Sequence, residues 1–495
     1  MQRYYGNLTT DSIHSYLFCD GGGNVHTKIT RIACPASDGL SDSADRRYSL
    51  GDTLHLVVGQ GVLRLHQAYT IAIFGSMLSV LMQKTKVAEN LIKKGAELSG
   101  DNPWMIAVVI LLLIALLFTS LGGLGAIIMV ATIALPIMVS VGMGNLTVIG
   151  IFLFGLSMGG ILNAGNWALY IEVLNLETAQ IRSFALVMFA LLFISSLFYI
   201  TIQLYRDGHD LNFKKIFTAS GIILGLAAVF ILLWNILPAT ARKHVLDIGR
   251  IAGTAVKFLV LAAIAASVFF NIYRILFKRG ENKKIHASAF FTPLIPLALI
   301  LLFDMNFLAA FFSGLVYGFI ATYKKGAVNT LVRSIFEGGA VAMPAVALMM
   351  GIGMLLNAII GPGGDFNAFY PDGWPVLNLL QPVMLSLVPG NAFFYVLVFT
   401  LAAPLALYRG PLNLWGMGYG LAAVFLAAGM PGASIMGLLM SVGMLQSISD
   451  PTNTHNVWLA NEMQIDVQKV LWNTLPYTWA LAAFGLTIAS LMFYI

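Results

Sequence analysis

Long apolar runs separated by short polar segments make up most of this chain. The runs 105–118, 184–200, 222–233, 258–272 and 470–491 contain almost no charged residues. Helices that cross a lipid bilayer have this composition, because charged side chains are costly in hydrocarbon. The pattern predicts an all-α polytopic membrane protein with about ten to twelve transmembrane segments.

Composition supports the same class. Of 495 residues, 58% are hydrophobic and 10% are charged, whereas soluble domains carry roughly a quarter charged residues. The formal charge of +6 comes from Lys and Arg in short clusters between apolar runs. Such clusters are typical of cytoplasmic loops rather than of a nucleic-acid-binding face. We therefore expect a multi-pass protein of a bacterial-type inner membrane, with the bilayer as a partner and no bound nucleic acid.

One apolar segment with an Asn-rich break occurs twice. At a fixed offset, 142–166 aligns with 429–453, so that Asn166 is paired with Asn453. Gly and Pro within each break leave backbone groups unpaired, and in lipid those groups need a partner from protein, ion or substrate. Two matched copies of a broken membrane segment are typical of transporters.

The repeat extends upstream, where Met77 is paired with Met354. The first copy then continues into Lys84 and Lys86, whereas the second continues into an acidic loop that contains Asp365. Because positive charge marks cytoplasmic loops, equivalent helices are predicted to end on opposite sides of the membrane. The fold is therefore predicted to contain two inverted repeats with broken or re-entrant helices.

These features divide the chain into four parts. We predict a polar N-terminal stretch at 1–51, a first repeat at 52–205, a connector with about two membrane helices at 206–285 and a second repeat at 286–495. Two apolar runs, 290–302 and 307–320, precede the second copy without a counterpart before the first. Either a helix pair has been lost, which would leave the chain inactive, or residues 1–51 are a foreign or misread N-terminus.

The breaks contain the candidate site residues. Asn and Thr side chains offer neutral oxygen ligands for a small cation and hydrogen bonds for a carboxylate, and helix N-termini add partial positive charge. The predicted substrate ligands within the breaks are Asn163, Asn166, Thr452, Asn453, Thr454 and Asn456. Each break has an alternative interpretation as a kink that only packs helices.

Ionisable residues add candidates for coupling and for anion attraction. Asp450 is an acidic residue at predicted membrane depth, and His455, with an ordinary pKa of about 6.5, suits proton coupling. Together with Ser449, these two are predicted to couple Na⁺ or H⁺. Arg409 is the only Lys or Arg between Arg333 and Lys469, and its guanidinium fits a carboxylate. A core histidine and a snorkelling helix-end arginine are the alternatives for His455 and Arg409.

The two breaks, together with two further motifs, resemble the ion transporter superfamily, in particular its citrate, gluconate and C4-dicarboxylate symporters. These motifs are the Gly-rich turn Ser120-Leu121-Gly122-Gly123-Leu124-Gly125 and the basic amphipathic helix before Gly100-Asp101-Asn102-Pro103. The resemblance covers about 52–495 and implies an elevator-type carrier for an organic anion, dimeric through its scaffold helices.

The chain departs from the pattern of this superfamily in one motif. The sodium/dicarboxylate branch carries a Ser-Asn-Thr motif in each half, which binds Na⁺ and substrate. The second copy here has Thr452-Asn453-Thr454, a near match, whereas the first has Gly165-Asn166-Trp167 and keeps only the Asn. This difference argues against a mechanism with two sodium ions.

We therefore predict a secondary active transporter that moves a small carboxylate with H⁺ or Na⁺ and contains no metal or organic cofactor. The main alternative is a Na⁺/H⁺ antiporter of the same fold, in which Asp450 alone exchanges cations. A membrane-embedded enzyme is a third possibility, but neither an HExxH nor a Walker motif is present, and these are common signatures of catalysis. The sequence leaves open which anion is carried and which cation drives it.

Overall fold

The computed structural model describes residues 51, 53–210, 239–277, 285–362, 373–385 and 388–494. Every regular element within these ranges is helical, and none of these residues forms a strand. A helix pairs its own backbone N–H and C=O groups, so it is the structure that isolated apolar runs adopt in lipid. The predicted all-α class is confirmed for this part of the chain.

The first half begins with a π-helical segment, Thr53–Gly59, and a short helix, Gln60–Leu63. Its longer helices are α1 (His66–Lys84), α2 (Val87–Leu98), α3 (Pro103–Phe118), α4 (Leu124–Ser140), α5 (Asn145–Ile161), α6 (Ala164–Leu174) and α7 (Thr178–Arg206). The connector contributes α8 (Ala239–Phe277). The predicted connector run 222–233 and residues 1–50 lie outside the described residues.

The second half begins with a 3₁₀ turn, Ala287–Phe291, and later contains a second 3₁₀ turn, Ala403–Ala406, and a π-helical segment, Leu414–Gly418. Its helices are α9 (Leu294–Phe303), α10 (Phe307–Ala321), α11 (Ala327–Ile360), α12 (Pro375–Leu385), α13 (Ala392–Ala402), α14 (Tyr419–Ala427), α15 (Gly432–Ser449), α16 (Thr454–Glu462) and α17 (Val467–Phe493).

Both halves contain the same succession of elements. A long helix (α1 or α11) is followed by a short helix (α2 or α12), an apolar helix (α3 or α13) and an irregular turn. A further helix (α4 or α14) then leads into a broken helix (α5 with α6, or α15 with α16) and a final long helix (α7 or α17). The repeat found in the sequence thus has a counterpart in the order of the helices.

Six stretches within the described residues are long and apolar enough to cross a bilayer: Thr53–Lys84, Thr178–Arg206, Gly253–Phe277, Ala327–Ile360, Gly432–Glu462 and Val467–Phe493. The pair α5 and α6, bent by 52°, would make a seventh. Shorter apolar helices, α3, α4, α9, α10 and α13, have 10–17 residues. The ten to twelve predicted segments include such shorter runs, and that higher count stays a prediction.

Asparagine side chains mark the starts of equivalent helices. The Asn102 Oδ1 atom accepts the Trp104 N–H at 2.9 Å at the start of α3. The Asn391 Oδ1 atom accepts the Phe394 N–H at 2.9 Å at the start of α13. The first N–H groups of a helix have no partner within it, so an amide oxygen at this position stabilises the start by about 1 kcal/mol.

Helix α11 packs closely, through glycines, against α1 and the short helix before it. A methyl group on Gly61 would lie 2.6 Å from the Met354 Cα atom, and one on Gly338 would lie 2.5 Å from the Met77 Cα atom. Both distances are far below normal carbon–carbon contact, so only glycine allows the two backbones to approach this closely. These glycines place the pair α1 and α11 side by side, next to the two broken helices.

An arginine that the sequence analysis did not single out joins the same pair. The Arg64 Nη1 atom donates to the Asn357 Oδ1 atom at 2.6 Å and to the Gly361 carbonyl at 2.8 Å. The Asn357 amide nitrogen donates in turn to the Leu56 carbonyl at 2.8 Å. The guanidinium therefore lies at the C-terminal end of α11, where free carbonyls favour positive charge.

Candidate substrate site

The first break lies between α5, which ends at Ile161, and α6, which begins at Ala164. Asn163 occupies the N-cap of α6, where its Oδ1 atom accepts the Gly165 N–H at 2.9 Å and its Nδ2 atom donates to the Phe118 carbonyl at 3.2 Å. The predicted interruption is thus present at the predicted place. Asn163 starts the second half-helix and joins it to the end of α3.

Side chains from α6 then bond the open end of α5. The Asn166 Nδ2 atom donates to the Gly160 carbonyl at 2.8 Å, and the Trp167 Nε1 atom donates to the Ile161 carbonyl at 2.7 Å. The last carbonyls of a helix have no partner within it, and in lipid they need one. At this break the protein's own side chains provide these partners.

The second break, between α15 and α16, has the same construction. The Asn453 Nδ2 atom donates to the Gln446 carbonyl at 2.7 Å, and the Asn456 Nδ2 atom donates to the Ile448 carbonyl at 2.9 Å. The His455 Nε2 atom lies 3.1 Å from the Ser447 carbonyl oxygen. Three residues that were predicted to contact substrate or ion therefore also hold the two half-helices together.

The structure changes the alignment of the breaks. Asn163 and Asn453 are the N-cap residues of α6 and α16, so Asn453 is the structural counterpart of Asn163 rather than of Asn166. The residue-number offset between the two copies pairs the first residues of α5 and α15, Asn145 and Gly432. This offset therefore becomes larger within the break. The second break is the longer one, because it contains the additional segment around Asp450.

Asp450 is completely buried. Its Oδ1 atom accepts the Tyr408 N–H at 3.1 Å, the Thr452 N–H at 2.9 Å and the Thr452 hydroxyl at 2.7 Å. Its Oδ2 atom accepts the Asn413 amide at 3.2 Å. Four donors around one carboxylate offset the cost of burying its charge. Asp450 thus connects the break to the turn that follows α13.

That turn has a strained backbone. Tyr408 and Arg409 both have positive φ angles, 53° and 59°, in a region that costs a non-glycine residue roughly 1–2 kcal/mol. The bond from the Tyr408 N–H to Asp450 helps to hold this conformation. Arg409 is exposed and does not line the cavity described next.

A cavity of about 340 Å³ lies where the two breaks meet. The first break lines it with Gly160, Asn163 and Asn166, and the second lines it with Ser447 and His455. The Gly-rich turn after α3 and side chains of α1, α10 and α11 complete the wall. The two segments that the sequence analysis selected are therefore brought together around one space.

The ten predicted site residues occupy different positions relative to the cavity. Asn163, Asn166 and His455 line it. Asn453 and Asn456 do not line it and are buried, while Thr452 and Thr454 are exposed. Ser449 is buried between α15 and α17, where its hydroxyl bonds the hydroxyls of Thr474 and Thr478 at 2.8 and 2.9 Å. Asp450 and Arg409 are absent from the lining.

Sequence reasoning missed several polar residues of the cavity. The Ser157 and Ser447 hydroxyls, one from each half, are 2.8 Å apart across it. Gln446 also lines it, while its Oε1 atom accepts the Leu414 N–H at 3.3 Å. A glutamine within a buried apolar helix is a signal that the sequence offers. The serine pair had no such signal, since single serines are common in packed membrane helices.

The cavity wall contains no Asp, Glu, Lys or Arg among the described residues. Its polar groups are hydroxyls, amides and one imidazole, so any net charge that enters must be balanced by a co-bound ion or by a proton on His455. No group of three or more His, Cys, Asp or Glu residues suited to a metal ion occurs in the described ranges. Comparison of the sequence with protein-family models and with curated proteins found no match.

Proposed function

We propose that this chain is a secondary active transporter that moves a small organic anion together with H⁺ or Na⁺ across the inner membrane. One observation carries the proposal: two separately broken helices, one from each half, meet at a single cavity. Breaks inside apolar helices are costly in lipid and are retained where irregular backbone lines a site. The neutral, polar break residues are suited to bind an anion and its coupling cation together.

Reciprocal contacts support an inverted repeat. The Asn145 amide at the start of α5 donates to the Met463 carbonyl, just after α16, at 3.1 Å. Correspondingly, a methyl group on Gly432 at the start of α15 would lie 2.8 Å from the Leu174 carbonyl oxygen at the end of α6. Each broken helix thus begins where the other ends, as two antiparallel copies require.

The glycine contacts of the long helices repeat this relation. Gly61 meets Met354, and Gly338 meets Met77, and the sequence register pairs Gly61 with Gly338 and Met77 with Met354. Two elements related by a two-fold axis make each contact twice with the roles exchanged. The pseudo-two-fold axis of an inverted-repeat carrier would therefore pass between α1 and α11, close to the cavity.

The orientation of His455 offers a route for proton coupling. A carbonyl oxygen only accepts hydrogen bonds, so the contact with Ser447 assigns the proton to Nε2. In the neutral ring Nδ1 is then an acceptor, which repels a carboxylate. Protonation turns Nδ1 into a donor and adds the positive charge that the anion needs.

The remaining predicted site residues have supporting roles in this proposal. Asn453, Asn456 and Asp450 fix the shape of the second break, and Thr452 completes the Asp450 cluster. The exposed Thr454 and Arg409 would meet the anion outside the cavity. Ser449 would act through helix packing. A homodimer is expected through apolar helix faces that remain exposed on the single chain, such as that of Phe336.

Uptake into proteoliposomes tests the proposal. Radiolabelled citrate, gluconate, succinate and lactate would be offered with and without imposed Na⁺ and proton gradients, and empty liposomes would serve as the control. Accumulation driven by one gradient establishes symport and identifies the coupling ion. Absence of uptake for every acid, together with Na⁺-dependent proton release, would instead establish the Na⁺/H⁺ antiporter. Arg409→Ala should reduce anion uptake and leave cation exchange unchanged.

A further inference from the structure

The cavity has one polar wall and one apolar wall. The polar groups come from the two breaks, with Ser157, Asn166, Gln446, Ser447 and His455 among them. The lining side chains of α1, α10 and α11 form the apolar wall, since they are apolar apart from one serine. The site therefore offers hydrogen bonds at the breaks and hydrocarbon contact at these three helices.

Charge limits what the polar wall can hold. The described lining has no Lys or Arg, and protonated His455 or one coupling cation supplies a single positive charge. A second or third carboxylate would enter without a counter-charge, and an unpaired buried charge is strongly unfavourable. Citrate and the C4-dicarboxylates, which the sequence resemblance suggested, match this wall poorly.

The apolar wall favours a hydrocarbon tail. Phe311 on α10 and Val341, Ala342, Ala345 and Met349 on α11 border the cavity. A polyhydroxylated acid such as gluconate would leave its hydroxyl groups without partners against these side chains, which costs free energy. An alkyl chain would instead be transferred from water to hydrocarbon, and each added methylene would strengthen binding about fourfold.

We infer that the transported anion is a monocarboxylate with an apolar tail, whose carboxylate lies at the two breaks and whose tail lies against α10 and α11. This inference rests on the proposed function and narrows its substrate class. It excludes di- and tricarboxylates as the preferred ligands of this cavity.

Direct binding to the full chain in lipid nanodiscs tests the inference, because protonated short-chain acids cross liposomes without a carrier and would obscure uptake. Acetate, butyrate and hexanoate form the test series, with succinate and citrate as comparators, titrated by calorimetry at fixed pH and Na⁺ concentration. We expect affinity to rise about fifteenfold for every two methylenes added. Succinate is expected to bind more weakly than butyrate, which has the same number of carbons.

Matched variants separate the cavity from nonspecific partition into lipid. Ala345→Phe fills space at the apolar wall and should remove the advantage of hexanoate over butyrate, a loss of about fifteenfold, with little effect on acetate. Ala347→Phe is the control, since Ala347 is on the same helix but exposed and outside the lining. Met349→Ala enlarges the cavity and should strengthen hexanoate binding relative to butyrate, which provides a second test if Ala345→Phe does not fold.

The outcomes distinguish the two proposals. Tighter binding of citrate or succinate than of butyrate, or no dependence on chain length, would overturn the monocarboxylate inference and leave the carrier proposal intact. A chain-length effect that is equal in the Ala345→Phe and Ala347→Phe variants would also overturn it, because the tail would then bind elsewhere. Failure of the carrier itself would appear as chain-length-dependent binding in nanodiscs without gradient-driven uptake of any acid in the liposome experiment, including lactate, the monocarboxylate of that panel with a short apolar tail.

Discussion

Replacing Asp450 with asparagine distinguishes a structural carboxylate from one that exchanges cations. An asparagine oxygen can still accept the three bonds that now reach Oδ1 from Tyr408 and Thr452. Its NH₂ group, however, would face the Asn413 amide nitrogen, which now donates to Oδ2 at 3.2 Å. One acceptor would be lost, and the other bonds would no longer be charge-assisted. We expect a loss of about 3 kcal/mol, since bonds to charged groups contribute roughly 1 kcal/mol more than neutral ones.

Thermal unfolding of the purified protein measures this effect. For a chain of 495 residues, a loss of that size corresponds to a fall in Tm of about 3 °C. Asp466→Asn is the matched control, because Asp466 is exposed and its Oδ1 atom caps α17 by accepting the Gln468 N–H at 2.9 Å. Asparagine caps a helix as well as aspartate does, so the control should unfold like the wild type. An unchanged Tm for Asp450→Asn, combined with loss of cation coupling, would refute the structural role and favour cation exchange at Asp450.

Three further substitutions test other parts of the structure. Gly338→Val should separate α1 from α11, because its first side-chain carbon would meet the Met77 backbone; we expect a loss of about 1–3 kcal/mol in unfolding experiments. Gly339→Val, which enters open space, should have little effect, and equal losses would disprove the close contact. His455→Gln should abolish proton-driven accumulation and weaken anion binding, because the counter-charge is lost, and persistent proton coupling in a gradient assay would exclude this histidine. Glu172→Ala removes the carboxylate of α6 that accepts a backbone N–H at the start of α1. Amide hydrogen exchange at the start of α1 should then become faster than in the wild type, and unchanged exchange would contradict that bond.

The sequence located the elements of this fold well because they depend on local chemistry. The run 105–118 corresponds to α3, Pro103–Phe118, and the break predicted near Asn163 lies between α5 and α6. The length of an apolar run and the positions of glycine and proline affect only a few neighbouring residues, so their effects can be predicted from the sequence. The repeated order of helices in the two halves follows from the same signals, since two similar segments form similar elements.

The contacts of individual side chains could not be read from the sequence in the same way. Ser449 was expected to couple an ion, and the structure buries its hydroxyl against α17. The Asn166 amide nitrogen closes the end of its own broken helix. Arg409 projects from a strained turn and does not border the cavity. Such roles depend on where a side chain is directed, and sequence spacing alone does not give that direction.

The sequence by itself determined the helical membrane class, the two breaks and the residue types within them, because hydropathy and backbone chemistry are local. Only the tertiary structure decided that Ser157 meets Ser447 across one cavity, that a distant turn surrounds Asp450, and that Arg64 bonds Asn357. Each of these pairs joins residues far apart in the chain. Their contact is set by the packing of whole helices, for which local periodicity carries no signal.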